Sequence, residues 1–238
     1  MRLEFLFRQV IQTAPGPSEW DSRTALQGLF EILNLTSRTE LKAELLKELE
    51  RHLATLNRFR EMPGVDPDTL NAILVEIAQA STQLRDLGGP SLEAVRKHDF
   101  LSTIRQRSNI SGGACTFDLP ALHHWLQQDE AARARDLECW LQPFQSLLEA
   151  VNLILRLVRA SALPRQETAI KGFFQKALNS SAPTQMVRVI LPAGLAVFPE
   201  ISGGRHRFSI RFMEQPDLAK RASQCNEDID FKLVCCAI

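Results

Sequence analysis

The chain has 238 residues, and its 28 lysines and arginines are balanced by 28 aspartates and glutamates. Zero net charge gives no long-range field toward nucleic acid or anionic membrane, so an electrostatic partner must be met by a local patch. No stretch reaches the run of about 18 apolar residues that a membrane-spanning helix needs, and five irregularly spaced cysteines (Cys115, Cys139, Cys225, Cys235, Cys236) read as reduced thiols in a cytoplasm.

The first element is helical from its outset. Leu3, Leu6, Phe7 and Val10 recur at helical spacing immediately after Met1, with no capping residue before them. A helix that begins inside its own apolar stripe is expected to be preceded by further residues in the native protein. Leu41, Leu45, Leu46, Leu49, Leu53 and Leu56 then form one leucine stripe, opposite Lys42, Glu44, Lys47, Glu48 and Arg51, as in an amphipathic helix docked on a core. Pro63-Gly64 ends it, and Asp66-Pro67 starts a helix with Leu70, Ile73, Leu74, Ile77 and Leu84 on its apolar face. Gly88-Gly89-Pro90 is the next break. Phe100, Leu101 and Ile104 follow, with Arg105 and Arg107 at the helix end that favours cations. After the Gly112-Gly113 turn, Asp118 is the expected N-cap, with Pro120 inside a helix over 121–127. There His123 and His124 point about 100° apart and cannot share one site. Helices over 130–141 and 143–161 complete the run, the second carrying Leu147, Leu148, Val151, Leu155 and Val158 as the expected most buried face.

After Ser180-Ser181-Ala182-Pro183 the rhythm changes. Met186–Leu191 is short, β-branched and bounded by prolines, and Pro192-Ala193-Gly194 reads as a turn before Leu195–Phe198. Arg207, Ser209 and Arg211 alternate with Phe208, Ile210 and Phe212, the period-two pattern of a half-buried strand. A last strand runs over 229–236. The expected architecture is α+β: a mainly α-helical bundle domain over 1–180, and over 181–238 a small antiparallel β-sheet domain built largely from the C-terminal strands, with one face on the helices and the other in water.

Catalytic chemistry is sparse. The five histidines (His52, His98, His123, His124, His206) form no HExxH motif and no zinc-finger spacing with cysteine, so no metal and no cofactor are expected. Gly112-Gly113 and Gly203-Gly204 lack the features of a phosphate loop. Cys115 with His123 as base is the one nucleophile pair to weigh, and it defines the alternative of a small hydrolase or thiol enzyme. Its neighbours Ala114 and Phe117 instead suggest a buried structural thiol. Cys235-Cys236-Ala237-Ile238 matches a prenylation box in form but continues the apolar run of the last strand. The remaining concentration of charge is Arg188, Arg205, Arg207 and Arg211 against Glu200 alone between 182 and 212. Arg207 and Arg211 share a strand face, with an expected separation of roughly 7 Å at their roots. Two readings stand: a binding face, or a solvated face cancelled by Glu214, Asp217, Glu227, Asp228 and Asp230 downstream.

Seven segments together carry a resemblance: Arg2-Leu3-Glu4-Phe5-Leu6, Ala43–Arg51, Met62–Asp66, Ile104–Trp125, Ile201-Ser202-Gly203, Arg207–Met213 and Phe231–Cys236. In that order, over essentially the whole chain, the sequence resembles the ZapD family of bacterial cell division proteins. The resemblance implies a non-enzymatic homodimer that binds the C-terminal tail of the tubulin-like FtsZ and bundles its filaments. Z-ring assembly and septation would be promoted from the cytoplasm at mid-cell, with no nucleic acid and no membrane insertion involved. It implies a basic tail-binding pocket at Arg38, Arg207 and Arg211, and a second charged pocket at Arg2 and His123 whose remaining basic member falls on Asp99, opposite in sign. The family pattern also has a strand and a turn of basic helix ahead of the element that Arg2–Leu6 resembles, which this sequence lacks.

Overall fold

In the computed structural model, which describes residues 1–37, 40–87, 90–178, 184–204 and 206–238, the chain is α+β, as expected. Helices dominate one unit, Met1–Leu155, and strands the other, Arg156–Ile238. Arg38, Gly88-Gly89, Ser180–Pro183 and Arg205, all singled out above, lie outside the described residues.

In the first unit, α1 (Arg2–Thr13) buries Leu3, Leu6, Phe7 and Val10, the residues of its stripe, and has no side-chain cap at Met1. Helix α2 (Glu19–Thr36) opens with a capping box. Ser18 Oγ accepts from Trp20 N at 3.1 Å, and Asp21 Oδ2 accepts from Ser18 N at 3.1 Å, so orphan donors are met at both ends of the exchange. Helix α3 (Glu40–Asn57) is less sealed than its leucine stripe suggests. Leu49, His52 and Leu56 are buried, whereas Leu41, Leu45, Leu46 and Leu53 remain partly open. Burial pushes the His52 pKa below the usual histidine range, against the opposing pull of Glu48 at 3.1 Å. Helix α4 (Pro67–Arg85) starts as read, with Asp66 accepting from Asp68 N and Thr69 N ahead of Pro67.

Helices α5 (Pro90–Arg96), α6 (Asp99–Ser108), α7 (Pro120–Leu126), α8 (Glu130–Leu141) and α9 (Gln145–Ala160) follow. The cap of α7 differs from the expectation. Leu119 occupies the capping position without a side-chain bond, and Asp118 instead accepts a hydrogen bond from Cys115 Sγ at 3.2 Å, so its carboxylate is committed to the preceding loop. On α9 the buried face is Leu147, Ala150, Val151, Leu153, Ile154, Leu157 and Val158, while Leu148 and Leu155 stay partly exposed. One arginine of α8, Arg133, is only 5% exposed and donates to Ser22 Oγ (3.0 Å), Leu126 O (3.1 Å), Pro17 O (2.8 Å) and Gln128 O. It closes the start of α2, the end of α7 and the start of α8 around one guanidinium.

The second unit departs from the expected single sheet. Strands β1 (Arg165–Ala169), β7 (Ile229–Cys236) and β3 (Met186–Ile190) form one antiparallel sheet in the order β1-β7-β3. A second has the order β2-β5-β4, from β2 (Phe173–Ala177), β5 (Arg207–Glu214) and β4 (Val197–Gly203), with β6 (Ser223–Gln224) on the end of β5. Phe208, Ile210 and Phe212 of β5 share one core with Ile229, Phe231 and Leu233 of β7. Phe231 meets Phe212 at 5.0 Å and Phe174 at 5.2 Å between ring centroids. The inner face expected to lie on helices therefore meets another sheet, because both β5 and β7 carry an alternating apolar face long enough to be covered only by each other. Two strands also precede the 180/181 boundary drawn from the sequence. The first, Arg-Gln-Glu-Thr-Ala, buries only Ala169 and so gives almost no apolar signal.

The β1–β2 hairpin turns on Lys171 (φ 49°) and Gly172 (φ 67°), bridged by Ile170 and Phe173, the positive-φ pair of a type I′ turn. A Cβ on Gly172 would lie 2.3 Å from Cys225 O, and Gly172 O accepts from Phe212 N at 2.8 Å. Gly172→Ala is therefore expected to destabilise the chain by about 2 kcal/mol or more, combining backbone strain with overlap. Lys171→Asn, which suits the same turn position, is expected to be neutral or mildly stabilising. Urea denaturation of the two variants checks both, and equal midpoints would contradict this account of the turn.

Candidate functional site

Strand β5 carries the candidate site because its two faces have opposite characters. Phe208, Ile210 and Phe212 are buried, and Arg207 and Arg211 are exposed with Ser209 half-buried between them, as the alternation requires. The register builds an outer surface row by row. Arg211 stands between Phe173 on β2 and Glu200 on β4, Ser209 between Gln175 and Ser202, and Arg207 beside Ala177. Met213 lies opposite Phe198. The two arginines are four positions apart along the strand, so their roots lie about 13–14 Å apart at the strand rise. The expected 7 Å is the spacing from either arginine to Ser209. The two cations thus make separate contact points, with a polar row between.

A cleft of ≈ 450 Å³ opens at the Arg207 end, lined by Gln175, Ser202, Gly203, Gly204, His206 and Ser209 among others. At the Arg211 end the surface is apolar. Phe173 is 39% exposed and Phe198 40%, both on the outer face by register. Among the described residues neither arginine side chain makes a hydrogen bond or ion pair. Several acids proposed to cancel them are engaged elsewhere: Asp217 pairs with Lys220 at 3.5 Å, Asp228 accepts from Lys171 N at 2.8 Å, and Asp230 accepts from Thr168 Oγ1 at 2.6 Å. Glu200 is the acid registered on this face. Arg188, counted with the basic group in sequence, lies instead on β3 in the other sheet and donates to Arg159 O at 3.3 Å.

The remaining sequence-derived residues belong to the other unit or lie outside the described residues. Arg38 lies outside the described residues. Arg2 is exposed on α1 and lines a groove of ≈ 370 Å³ with Met1, Leu35, Leu41, Leu45 and Ile154, while His123, exposed on α7, is not among the residues of that groove. Asp99 is exposed at the start of α6. Cys115 is exposed rather than buried. Its apolar sequence neighbours belong to an irregular loop, where adjacency implies no common face. Its thiol donates to a carboxylate, Asp118. Cys225 and Cys236 are buried, and burial pushes the Cys235 and Cys236 thiols above the usual cysteine range, as suits packing rather than reactivity. Cys235 and Cys236 pair with Val187 and Met186 in the β3–β7 ladder, as a strand reading of that run requires. Among the described residues no group of histidine, cysteine, aspartate and glutamate side chains could hold a metal ion, and no helix is long and apolar enough to cross a membrane.

Phe173 and Phe198 were absent from the sequence reading of the site. Phe173 sits on a strand that the apolar pattern does not reveal, and Phe198 reaches the arginine face only through the β4–β5 register.

Comparison with known proteins converges on one family. The family model for ZapD, described as a cell division protein, matches residues 1–211. Proteins named Cell division protein ZapD align along the full chain: that of Azoarcus sp. (strain BH72) is 38% identical over 238 residues, covering 100% of this chain and 94% of the relative. That of Methylococcus capsulatus is 39% identical over 238 residues, covering 100% and 93%. That of Coxiella burnetii (strain RSA 493) is 35% identical over 239 residues, covering 100% and 93%.

Proposed function

This chain belongs to the ZapD family of cell division proteins, and from that membership we propose that it is a non-enzymatic adaptor that binds the C-terminal tail of FtsZ and crosslinks FtsZ filaments. The observation that carries the reading is the outer face of β2-β5-β4, where Arg207 and Arg211 are exposed, without partners among the described residues, and set beside Phe173 and Phe198. An arginine fork can pair with a carboxylate or carbonyl while its flat face lies against apolar surface. That suits a short peptide that is both charged and apolar.

Bundling follows from valency. A homodimer presents two such faces, and a weak contact per subunit becomes effective when two are linked along a polymer that displays many tails. The adaptor would act in the cytoplasm at the division site, promoting Z-ring assembly and septation. Arg38 is the third proposed member of the tail pocket, and Arg2 with His123 forms a second candidate pocket.

Sedimentation of FtsZ filaments tests the reading directly. The protein is expected to pellet with full-length FtsZ and to increase the bundled fraction, and to remain in the supernatant with FtsZ lacking its C-terminal tail. Equal pelleting with both would place the contact on the FtsZ globular domain and sink the proposal.

A further inference from the structure

We propose that the cleft between α2, α6 and the loop over 110–116 binds a small aromatic anion, its rings lying against Trp20 and Ile110 and its carboxylate, sulfonate or phosphate meeting Arg105. All of these residues belong to the helical unit, and tail binding on β5 plays no part in the site.

Helical spacing builds one wall. Trp20, Arg23, Gln27, Phe30 and Asn34 recur at three and four residues along α2 and line the cleft together, as one helix face does. Ile104, Arg105 and Ser108 of α6 form a second wall, and the loop from Ile110 to Thr116 a third. The cleft measures ≈ 820 Å³, within the range of about 300–1,000 Å³ usual for small-molecule sites. Its floor is apolar, since Leu26, Phe30, Ile104 and Leu122 are buried there. At its rim Trp20 is 75% exposed and Ile110 54%.

The loop wall is held in place. Ile110 N donates to Arg107 O, Gly113 N to Ile110 O and Cys115 N to Gly112 O, at 2.9, 2.9 and 3.1 Å. A Cβ on Gly113 would lie 2.4 Å from Arg107 O, so the first turn closes tightly on the end of α6. Arg23 Nη1 donates to Ala114 O at 2.8 Å and ties the loop to α2. The same guanidinium stands 5.6 Å from the centroid of the Trp20 ring. Walls tied in this way are preformed for a small ligand. They are not free to part for a helix about 10–12 Å wide.

Burial, not the count of charges, sets the sign of the ligand, because two arginines and two glutamates line the cleft. Arg23 is committed to Ala114 O and Trp20, and Glu19 accepts from Gln127 Nε2 at 2.7 Å. Glu31 is exposed to water. Arg105 is half-buried and, among the described residues, makes no hydrogen bond or ion pair. Its place in the last turn of α6 accounts for a cation. It does not account for drawing that cation half out of water with no acceptor, which costs hydration. An anionic group that meets its planar fork supplies the missing bonds at charge-assisted strength. Rings laid over the indole and the apolar floor remove further area from water.

The test uses the full chain and two dyes that differ by one charged group, anilinonaphthalene sulfonate and the sulfonate-free phenylnaphthylamine, each titrated by fluorescence. The sulfonate is expected to bind saturably and about tenfold more tightly than the neutral dye, on the order of one charge-assisted contact. Arg105→Gln should abolish that advantage and leave the affinity for the neutral dye unchanged, which also reports that the cleft is still folded. Trp20→Ala should weaken both dyes about three- to fivefold. Glu31→Gln should tighten the sulfonate about twofold, a gain that misfolding cannot produce. Location is read at cysteine, since Cys115 is exposed and lines the cleft while Cys139 is exposed on α8 and does not. Saturating sulfonate dye should slow alkylation of Cys115 by N-ethylmaleimide in proportion to occupancy, with Cys139 reacting at its free rate, both followed by peptide mass spectrometry. Equal affinity for the two dyes in wild type, or an undiminished preference for the sulfonate in Arg105→Gln, would overturn the proposal. So would an unprotected Cys115 at saturation, which places the dye on other exposed apolar residues.

Discussion

Arg207→Glu combined with Arg211→Glu is expected to abolish binding of the FtsZ tail while leaving the fold intact. Both side chains stand on the exposed face of β5, and the strand's core contacts come from Phe208, Ile210 and Phe212, which are buried. Each charge-assisted hydrogen bond lost is worth roughly 1.5–3 kcal/mol. Two losses weaken binding on the order of a hundredfold or more, at about 1.4 kcal/mol per decade, before repulsion of the reversed charge is added. A glutamate at 211 would also face Glu200 directly across the strand pair, a like-charge contact that costs the sheet about 0.2–1 kcal/mol. That is small against the stability of a domain, typically about 5–15 kcal/mol. Added salt should reproduce part of the loss in the wild-type protein, because exposed charges are screened while contacts to Phe173 and Phe198 are not. Tail-peptide anisotropy on a variant whose circular dichroism matches wild type decides the matter. Undiminished affinity would leave this strand face a solvated surface and direct the search to the helical unit and the exposed Arg2 and His123.

The parts of the fold legible in the sequence are those whose signal is local. Asp66-Pro67 announces the start of α4 because a capping side chain and a proline act within one turn. The alternation over 207–212 identifies β5 because one strand face is buried and the other wet. What escaped depends on contacts between distant residues or on atypical turn chemistry. Strand β1 pairs Arg165 with Leu233 and Ala169 with Ile229, and nothing in Arg-Gln-Glu-Thr-Ala anticipates that partner. The hairpin after it has lysine where asparagine or aspartate usually marks a type I′ turn, so Lys171-Gly172 passes unnoticed although Gly172 is sterically required. With β1 and β2 unseen, the second sheet and Phe173 were out of reach. The arginines of the candidate face could be read from periodicity, but their apolar surroundings required the register.

Replacing Arg133 should be the most damaging single change in the helical unit. Its guanidinium is 5% exposed and serves four acceptors, Ser22 Oγ and the carbonyls of Pro17, Leu126 and Gln128. No carboxylate is among those acceptors. Removing a buried ion pair in favour of apolar residues is often nearly neutral, because both costly charges leave together. Here that compensation is absent. Arg133→Met removes the only charge but leaves three carbonyls and a fully buried hydroxyl, each losing the partner that arginine supplied, and an unmet buried group costs about 1–3 kcal/mol. The carbonyls lie where α2 begins, where α7 ends and just before α8, so the loss falls on three junctions at once. An overall destabilisation of about 3–5 kcal/mol is expected, allowing for partial rehydration of the junctions. Arg133→Lys should recover only a minor part, since one ammonium cannot reproduce the planar fork that reaches acceptors on three segments. Urea denaturation followed by circular dichroism at 222 nm measures both variants. A methionine variant within about 1 kcal/mol of wild type would mean that water replaces the guanidinium without cost, and that the junctions are held by apolar packing instead.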